Sequence, residues 1–245
     1  MKRVAVVGFD TGSVITELKI LGFVIDKMRP DIVVSFGGDG SALVGEQLYP
    51  GIPRLMIRHS RVCEKCSISD GHDLSAIFEK LKNGEYEIKK AVKLDGELNG
   101  NRKTTLTAMN EINVAHALPI RALRFDVNID GRSVKNLIGD GVITSTPYGS
   151  SGYYYSVTGR TFTKGIGIAY NNTKDMNTGK LVSYMHSYSP EPEVAVSIAR
   201  GPGVMCADNN SNMIPLKDGD IVTIKQSKEI ARIIQLSGKE SKLSL

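Results

Sequence analysis

The feature that most constrains the fold is a change in the period of the apolar residues near residue 86. Before it, strand-length apolar runs alternate with helical segments. Residues 2–8 read as a buried strand ending at Gly8, and residues 14–22 place Val14, Leu18 and Leu21 at helical spacing. Pro30-Asp31 leads into Ile32-Val33-Val34-Ser35-Phe36, a second buried strand that breaks at Gly37-Gly38-Asp39-Gly40. Residues 41–48 read as a helix closed by Tyr49-Pro50-Gly51; a strand over 52–57 and a helix over 74–81, ending at Asn83-Gly84, follow. Apolar strands alternating with helices specify a parallel sheet covered on both faces.

Beyond residue 86 the strands are short and alternate with period two, as in Leu123, Phe125, Val127 and Ile129. Turn signals at Asp95-Gly96, Asn99-Gly100 and Asp130-Gly131 separate them. Val194, Val196 and Ile198 continue the pattern, as does Ile221-Val222-Thr223-Ile224, with one helix-like interruption over 149–156. The expected organisation is an α/β domain over residues 1–90 and a β-rich domain over 91–230. Residues 231–245 form a C-terminal segment expected to pack back on the first domain.

Bulk composition narrows the function classes. The 245 residues are 41% hydrophobic and 23% charged, with no long stretch of low hydrophobicity and high charge, which excludes disorder. The longest apolar runs are strand-length and too short to cross a bilayer. The first residues, Met-Lys-Arg-Val-Ala-Val-Val-Gly, enter a strand without a signal-peptide pattern, so a cytoplasmic enzyme is expected. Lys and Arg outnumber acids 31 to 26, but they are scattered and not interleaved with aromatics, which argues against nucleic acid as a partner.

Three cysteines do not make a disulfide framework. Cys63 and Cys66 form a C-x-x-C flanked by His59 and His72, open to a zinc site, a redox pair or a local disulfide. A structural zinc site usually brings two close ligand pairs, and the two histidines are not a pair. Unconnected thiols in a loop are the favoured reading, and no protein metal ligand is assigned.

Three segments carry chemistry. Gly37-Gly38-Asp39-Gly40-Ser41 stands between a buried strand and a helix, where glycines let backbone amides approach a phosphate. An aspartate there repels an anion, but it can hold Mg²⁺ or take a proton from an attacking hydroxyl. Alternatively it caps the helix in a tight turn. Ala108-Met109-Asn110-Glu111-Ile112 places an amide and a carboxylate in a β segment, where adjacent residues face opposite sides unless a bulge or turn intervenes. The longest segment is Gly139-Asp140-Gly141-Val142-Ile143-Thr144-Ser145-Thr146-Pro147-Tyr148-Gly149-Ser150-Ser151-Gly152-Tyr153-Tyr154-Tyr155-Ser156. A strand enters a short helix there. Hydroxyls and amides converge where nucleotide groups could sit, and tyrosines could stack on a base or ribose. A purely structural account has Ser150 or Ser151 capping the helix and the tyrosines packing the core.

In this order and spacing the three segments resemble the NAD kinase family. Its pattern is a Gly-Gly-Asp-Gly-Thr loop, an Asn-Glu pair and a run Gly-Asp-Gly-Val-Ile-x-Ser-Thr-Pro-Thr-Gly-Ser-Thr-Ala-Tyr-Ser-x-Ser. The third run matches nearly throughout, with Tyr148, Ser151, Gly152 and Tyr154 as departures. Met205 to Asn210, then Leu216 to Ile224, resemble the family's Asp-Gly-Gln segment and the strand after it.

The resemblance implies the two-domain fold shared by NAD kinases and diacylglycerol kinases, and phosphoryl transfer from ATP or polyphosphate to the adenosine ribose 2′-hydroxyl of NAD. It implies that Asp39 takes the hydroxyl proton, with Gly37, Gly38 and Gly40 shaping the loop. Asn110, Glu111 and Asp140 hold the dinucleotide, and Thr146 belongs to the same set. Ser151, Gly152 and Ser156 line the adenosine pocket, with Tyr153 as its aromatic wall. Arg121 stands where a basic residue lies near phosphate, and Asn210 where Gln is usual. Mg²⁺ with the donor, a homodimer or homotetramer, and the absence of a membrane or nucleic-acid partner are also implied.

Departures are Arg58-His59-Ser60-Arg61-Val62-Cys63 in place of Gly-Asn-Leu-Gly-Phe-Leu, Ile138 before the second Gly-Asp-Gly, and Gly159-Arg160 in place of Gly-Gly-Pro. A lipid kinase of the diacylglycerol or sphingosine type is the rival enzyme. An NAD(H)-binding sensor without chemistry is the rival binder, and retention of Asp39 speaks against it.

Overall fold

A computed structural model describes residues 2–59 and 73–237. The chain divides into two compact units, residues 2–91 with 229–237, and residues 92–228.

The first unit runs β1 (Arg3–Gly8), α1 (Gly12–Ile20), β2 (Val24–Ile25), β3 (Ile32–Gly37), α2 (Asp39–Leu48), β4 (Arg54–Arg58), α3 (Leu74–Asn83) and the start of β5 (Tyr86–Leu98). The strands pair in parallel in the order β2-β1-β3-β4, with β4 paired to the last strand of the described residues at Arg54↔Ile233. Val4, Ile32, Val34, Phe36, Leu55 and Ile57 pack against Val14 and Leu18 of α1 and Ile77, Phe78 and Leu81 of α3. On the opposite face α2 lies close: a Cβ on Gly45 would stand 2.7 Å from Ser35 Oγ. The uniformly buried β3 reflects this double cover. Asp73 caps α3 by accepting the Ser75 N–H at 2.9 Å, and Gly84 closes it in the left-handed conformation at φ 78°.

The second unit continues with β6 (Asn101–Ala108), β7 (Glu111–His116), β8 (Leu123–Ile129), β9 (Arg132–Gly139), β10 (Gly141–Ser145), a 3-10 turn (Tyr148–Ser151) and α4 (Tyr153–Thr158). Then come β11 (Ile166–Asp175), β12 (Leu181–Ser187), β13 (Glu193–Arg200), β14 (Gly203–Ala207), β15 (Ile214–Leu216) and β16 (Ile221–Leu236). The strand order is β15-β14-β7-β10-β11-β9-β8-β13-β16, with β12 on β11 and β6 on β5. Alternate residues of β8 and β13 are buried in one cluster with Ile112, Val114, Val142, Ile168 and Met205. Asn99-Gly100 (φ 51° and 70°) and Asp130-Gly131 (φ 50° and 84°) join hairpins with both central residues left-handed, the geometry that matches strand twist.

Asp95-Gly96, expected as a turn, lies inside β5. Its glycine serves packing instead. A Cβ there would come within 3.0 Å of Met205 Sδ and 3.1 Å of Ile112 Cγ2.

Candidate active site

In the first unit the chain leaves β1 toward β2 on one side and reaches β3 on the other. Such a reversal opens a crevice at the carboxyl ends of the two central strands, where ligands of open parallel sheets bind. Gly8 and Gly37 stand at those ends with φ 145° and 147°. A Cβ on Gly8 would lie 1.9 Å from the Phe36 carbonyl oxygen, and one on Gly37 2.3 Å from Ser41 Oγ, so a side chain meets backbone at Gly8 and is strained by φ at both.

Helix α2 starts at Asp39, two residues earlier than the sequence pattern indicates. Gly38 is its N-cap in an extended conformation, and the Gly38 carbonyl accepts the Ser41 N–H at 3.0 Å. Asp39 and Gly40 therefore belong to the first helical turn, where the amide dipoles favour negative charge. Behind them α2 is pinned by a buried ion pair. Arg54 Nη2 donates to Glu46 Oε2 at 2.8 Å, and Glu46 Oε1 accepts the Gly51 N–H at 3.0 Å. Breaking such a pair leaves a buried charge, which holds the helix to β4.

His59 donates its backbone N–H to the Gly37 carbonyl at 2.9 Å, and its ring stacks on Phe36 at 4.5 Å. Cys63, Cys66 and His72 lie outside the described residues. Among the described residues no three His, Cys, Asp or Glu side chains gather to hold a metal ion.

In the second unit Asn110 sits in a bend between β6 and β7 rather than within a strand. The bend is held from both sides. The Asp208 carboxylate accepts backbone N–H groups from Met109 (2.8 Å), Asn110 (2.7 Å) and Glu111 (3.1 Å), and Asp208 N–H returns a bond to the Glu111 carbonyl at 3.0 Å. Thr146, fully buried, donates its N–H to the Asn110 carbonyl at 2.9 Å and its hydroxyl to the Met109 carbonyl at 2.8 Å. Thr146 Oγ1 also accepts the Gly149 N–H at 2.9 Å. Thr146 thus braces the bend from inside.

Because of the bend, neighbouring residues 110 and 111 face the same way. A Cβ on Gly152 would lie 3.6 Å from both Asn110 Nδ2 and Glu111 Oε2. Gly149 is pressed on the same bend, since a Cβ there would fall 2.1 Å from the Asn110 carbonyl oxygen. Neither Ser150 nor Ser151 caps α4: its N-cap is Gly152, with no side-chain bond, and Ser150 Oγ donates to the Pro147 carbonyl at 2.8 Å. Ser151 is half-buried and Ser156 exposed, its hydroxyl donating to the Gly152 carbonyl at 3.3 Å.

A second group surrounds Asp140, which occupies a bend between β9 and β10. Its N–H donates to the Asn171 carbonyl at 3.0 Å, its carbonyl accepts the His116 N–H at 2.9 Å, and Asn172 Nδ2 donates to Oδ2 at 3.3 Å. His116 Nε2 stands 3.9 Å from Oδ1, while its Nδ1 pairs with the Leu118 carbonyl at 2.6 Å. Tyr153, 40% exposed, accepts from Asn171 Nδ2 at 2.9 Å. Tyr154 turns inward onto Ile143, Ala169 and Phe162, and burial raises its phenol pKa. Cys206, half-buried on β14, is likewise raised by burial and stays a thiol.

Arg121 and Asn210 stand apart from these clusters in kind. Arg121 is exposed in a turn whose N–H donates to the Leu118 carbonyl at 3.0 Å. Asn210 directs its Oδ1 to the Asn212 N–H at 2.8 Å. Sequence reasoning gave no role to Asp208, Asn171, Asn172 or His116. The adjacent asparagines in an otherwise strand-like segment are a signal of an irregular strand. Asp208 falls at the Asp of the segment resembling Asp-Gly-Gln, which marks the position without showing that its carboxylate holds a distant bend.

Comparison with known proteins shows the family of the chain. The ATP-NAD kinase C-terminal domain family matches residues 109–236. The NAD kinase of Thermoplasma acidophilum is 30% identical over 231 residues, covering 90% of this chain and 78% of that protein. The NAD kinase of Thermoplasma volcanium is 31% identical over 230 residues, covering 88% and 79%. Among solved structures, an NAD kinase from Archaeoglobus fulgidus in complex with ATP superimposes with a TM-score of 0.79 at 21% identity, covering 96% of this chain and 94% of that one. Yeast NADH kinase complexed with NADH gives 0.78 at 14% identity, covering 98% and 84%. These two establish the shared fold.

Proposed function

The chain belongs to the NAD kinase family, and from that premise we propose how its residues divide the work. The reaction is phosphoryl transfer from ATP to NAD, at the 2′-hydroxyl of the adenosine ribose, giving NADP. The observation that carries it is the extent of the match: the family domain spans 109–236, and relatives of that activity align over about nine-tenths of the chain. A lipid-kinase or sensor reading has no such support.

Asp39 is the general base. Its carboxylate sits on the first turn of α2, at the crevice end of β3, and takes the proton of the attacking hydroxyl as the oxygen–phosphorus bond forms. Gly37, Gly38 and Gly40 carry no side chain and keep the approach to the start of α2 clear, where a helix N-terminus favours phosphate oxygens. Asn110 and Glu111, turned to one side by the bend, hold polar edges of the dinucleotide. Asp140 accepts from a ribose or amide group, and Tyr153 supplies an aromatic wall. Ser151, Gly152 and Ser156 line the same pocket, and Thr146 holds its floor. Arg121 and Asn210 complete the set as outer contacts.

With no triad of ligating side chains among the described residues, a divalent cation such as Mg²⁺ would be held by the donor's phosphates with one or two carboxylates, its usual mode. Bound with the donor, it would neutralise charge on the transferring group. Polyphosphate is a second donor in this reading, and a homo-oligomer in the cytoplasm is the working form. No helix among the described residues is long and apolar enough to cross a membrane. Incubation with NAD, Mg²⁺ and either ATP or polyphosphate, with the phosphate position assigned by NMR, tests the reading. A 2′ product with ATP supports it, and phosphate on any other oxygen contradicts it.

A further inference from the structure

We infer that Asn171 and Asn172, neighbours in β11, are positioning residues for the dinucleotide pocket: Asn171 orients Tyr153 and Asn172 orients Asp140. The inference rests on the proposed reading of that pocket. In a regular strand two successive side chains face opposite sides and could not serve one site. Here the strand is irregular. The pairing of β11 with β12 shifts register between Ala169 and Thr173, and Asn172 has φ 45°, a left-handed conformation that asparagine tolerates. On its other edge β11 keeps register with β10 from Gly167 through Asn171, so the irregularity begins where the site residues are met.

The contacts follow from that geometry. Asn171 Nδ2 donates to the Tyr153 hydroxyl at 2.9 Å, and Asn172 Nδ2 donates to Asp140 Oδ2 at 3.3 Å. Between them the Asn171 carbonyl accepts the Asp140 N–H at 3.0 Å. Thr173, buried, closes the irregular turn by donating its hydroxyl to the Asn171 carbonyl at 2.8 Å. The glycines flanking Asp140 make room for it. A Cβ on Gly139 would lie 2.3 Å from Thr173 Oγ1 and 2.7 Å from the Asn172 carbonyl oxygen. On Gly141 it would lie 2.1 Å from the Val114 carbonyl oxygen. The Gly-Asp-Gly sequence here accommodates strand crossings on both sides of a carboxylate that is then aimed by Asn172. The other carboxylate oxygen stands 3.9 Å from His116 Nε2, beyond hydrogen-bonding distance.

Neither asparagine bond is a large source of stability. Tyr153 is 40% exposed, and Asn172 and its bond to Asp140 are solvent-accessible, so water can replace either partner. What the bonds change is the direction of a ring and of a carboxylate, and misdirected groups weaken ligand binding more than folding.

Double-mutant cycles on the full chain test this, with NAD affinity measured by calorimetry and KM for ATP and melting temperature measured in parallel. Asn171→Ala and Tyr153→Phe should each weaken NAD binding by about three- to tenfold, and the double variant should be no weaker than the worse single one. Asn172→Gly, which retains the left-handed backbone, should behave the same way against Asp140→Ala. KM for ATP and melting temperature should hold, whereas general loosening of the strand would shift both. Additive effects within both pairs overturn the inference while leaving the pocket reading intact. If Tyr153→Ala and Asp140→Ala leave NAD affinity unchanged, the pocket reading fails and the inference with it.

Discussion

The carboxylate of Asp208 accepts the backbone N–H of Asn110 at 2.7 Å, across 98 residues of sequence. The neighbouring amides of Met109 and Glu111 share the same carboxylate, so one side chain fixes the bend that turns Asn110 and Glu111 to a common side. Asp208 itself is left-handed, at φ 48°.

Asp208→Ala should therefore cost about 2–4 kcal/mol of stability, because charge-assisted bonds are lost and part-buried amides are left without them. It should also raise KM for NAD above that of any single pocket truncation. Asp208→Asn, which keeps an acceptor, should recover part of both. Denaturant melts and steady-state kinetics on the two variants check this. Equal KM values for Asp208→Ala and the wild type would show that the bend does not serve binding.

Asn110→Ala and Asp140→Ala should raise KM for NAD more than they lower kcat, as for groups that bind ground and transition states alike. A fall in kcat at unchanged KM would place either residue in the chemistry.

Gly149→Ala drives a methyl group to within 2.1 Å of the Asn110 carbonyl oxygen, and that oxygen is backbone in a braced bend. Overpacking of this kind costs about 1–3 kcal/mol. The expected outcome is a lower melting temperature together with weakened NAD binding. Gly131→Ala, with open space around the same added carbon, should show strain at its left-handed φ of 84° but no effect on NAD. Matching NAD affinities for the two variants would contradict the placement of Gly149.

Much of this was legible in the sequence, and two of the exceptions have a common cause. The first unit's strands and helices follow from local period, since a parallel sheet covered on both faces leaves uniformly apolar strands such as 32–36. Gly37 to Asp39 was legible because glycine and aspartate between a strand and a helix satisfy a local geometric demand. What local pattern misled on was set by distant neighbours. Asp95-Gly96 looks like a turn, yet Ile112 and Met205 hold it in a strand. Asn110-Glu111 looks like strand, yet Asp208 bends it. The start of α2 was missed by two residues because Gly38, without a side chain, caps it. Cys63 and Cys66, whose thiols are expected to be unconnected, lie outside the described residues, as does His72.

Acid should reveal one local tie in the first unit. The Arg3 guanidinium, hydrogen-bonded to Asp31 at 2.6 Å, holds the Asp31 carboxyl down to about 2. A carboxyl whose folded pKa is depressed adds stability that is present above its ordinary value and lost as pH falls toward the folded one. The loss should thus run from about pH 4 to about pH 2. Both side chains are exposed, so the effect is small and screened by salt. Asp31→Asn should flatten the pH dependence of the denaturation midpoint in that window. An unchanged slope would mean that the pair does not hold in solution.

Phosphorylation of NAD by this chain with Asp39 as the base is tested by comparing the wild type with one variant. Wild type and Asp39→Asn are incubated with NAD, ATP and Mg²⁺, NADP is measured over time, and NAD affinity is measured on both proteins. The wild type should form NADP steadily. The variant should lose about 10²–10⁴ in kcat with NAD affinity retained, since the carboxylate moves a proton and does not grip the substrate. Near-normal turnover by Asp39→Asn would contradict the role given to Asp39, and no NADP from the wild type would contradict the claim as a whole.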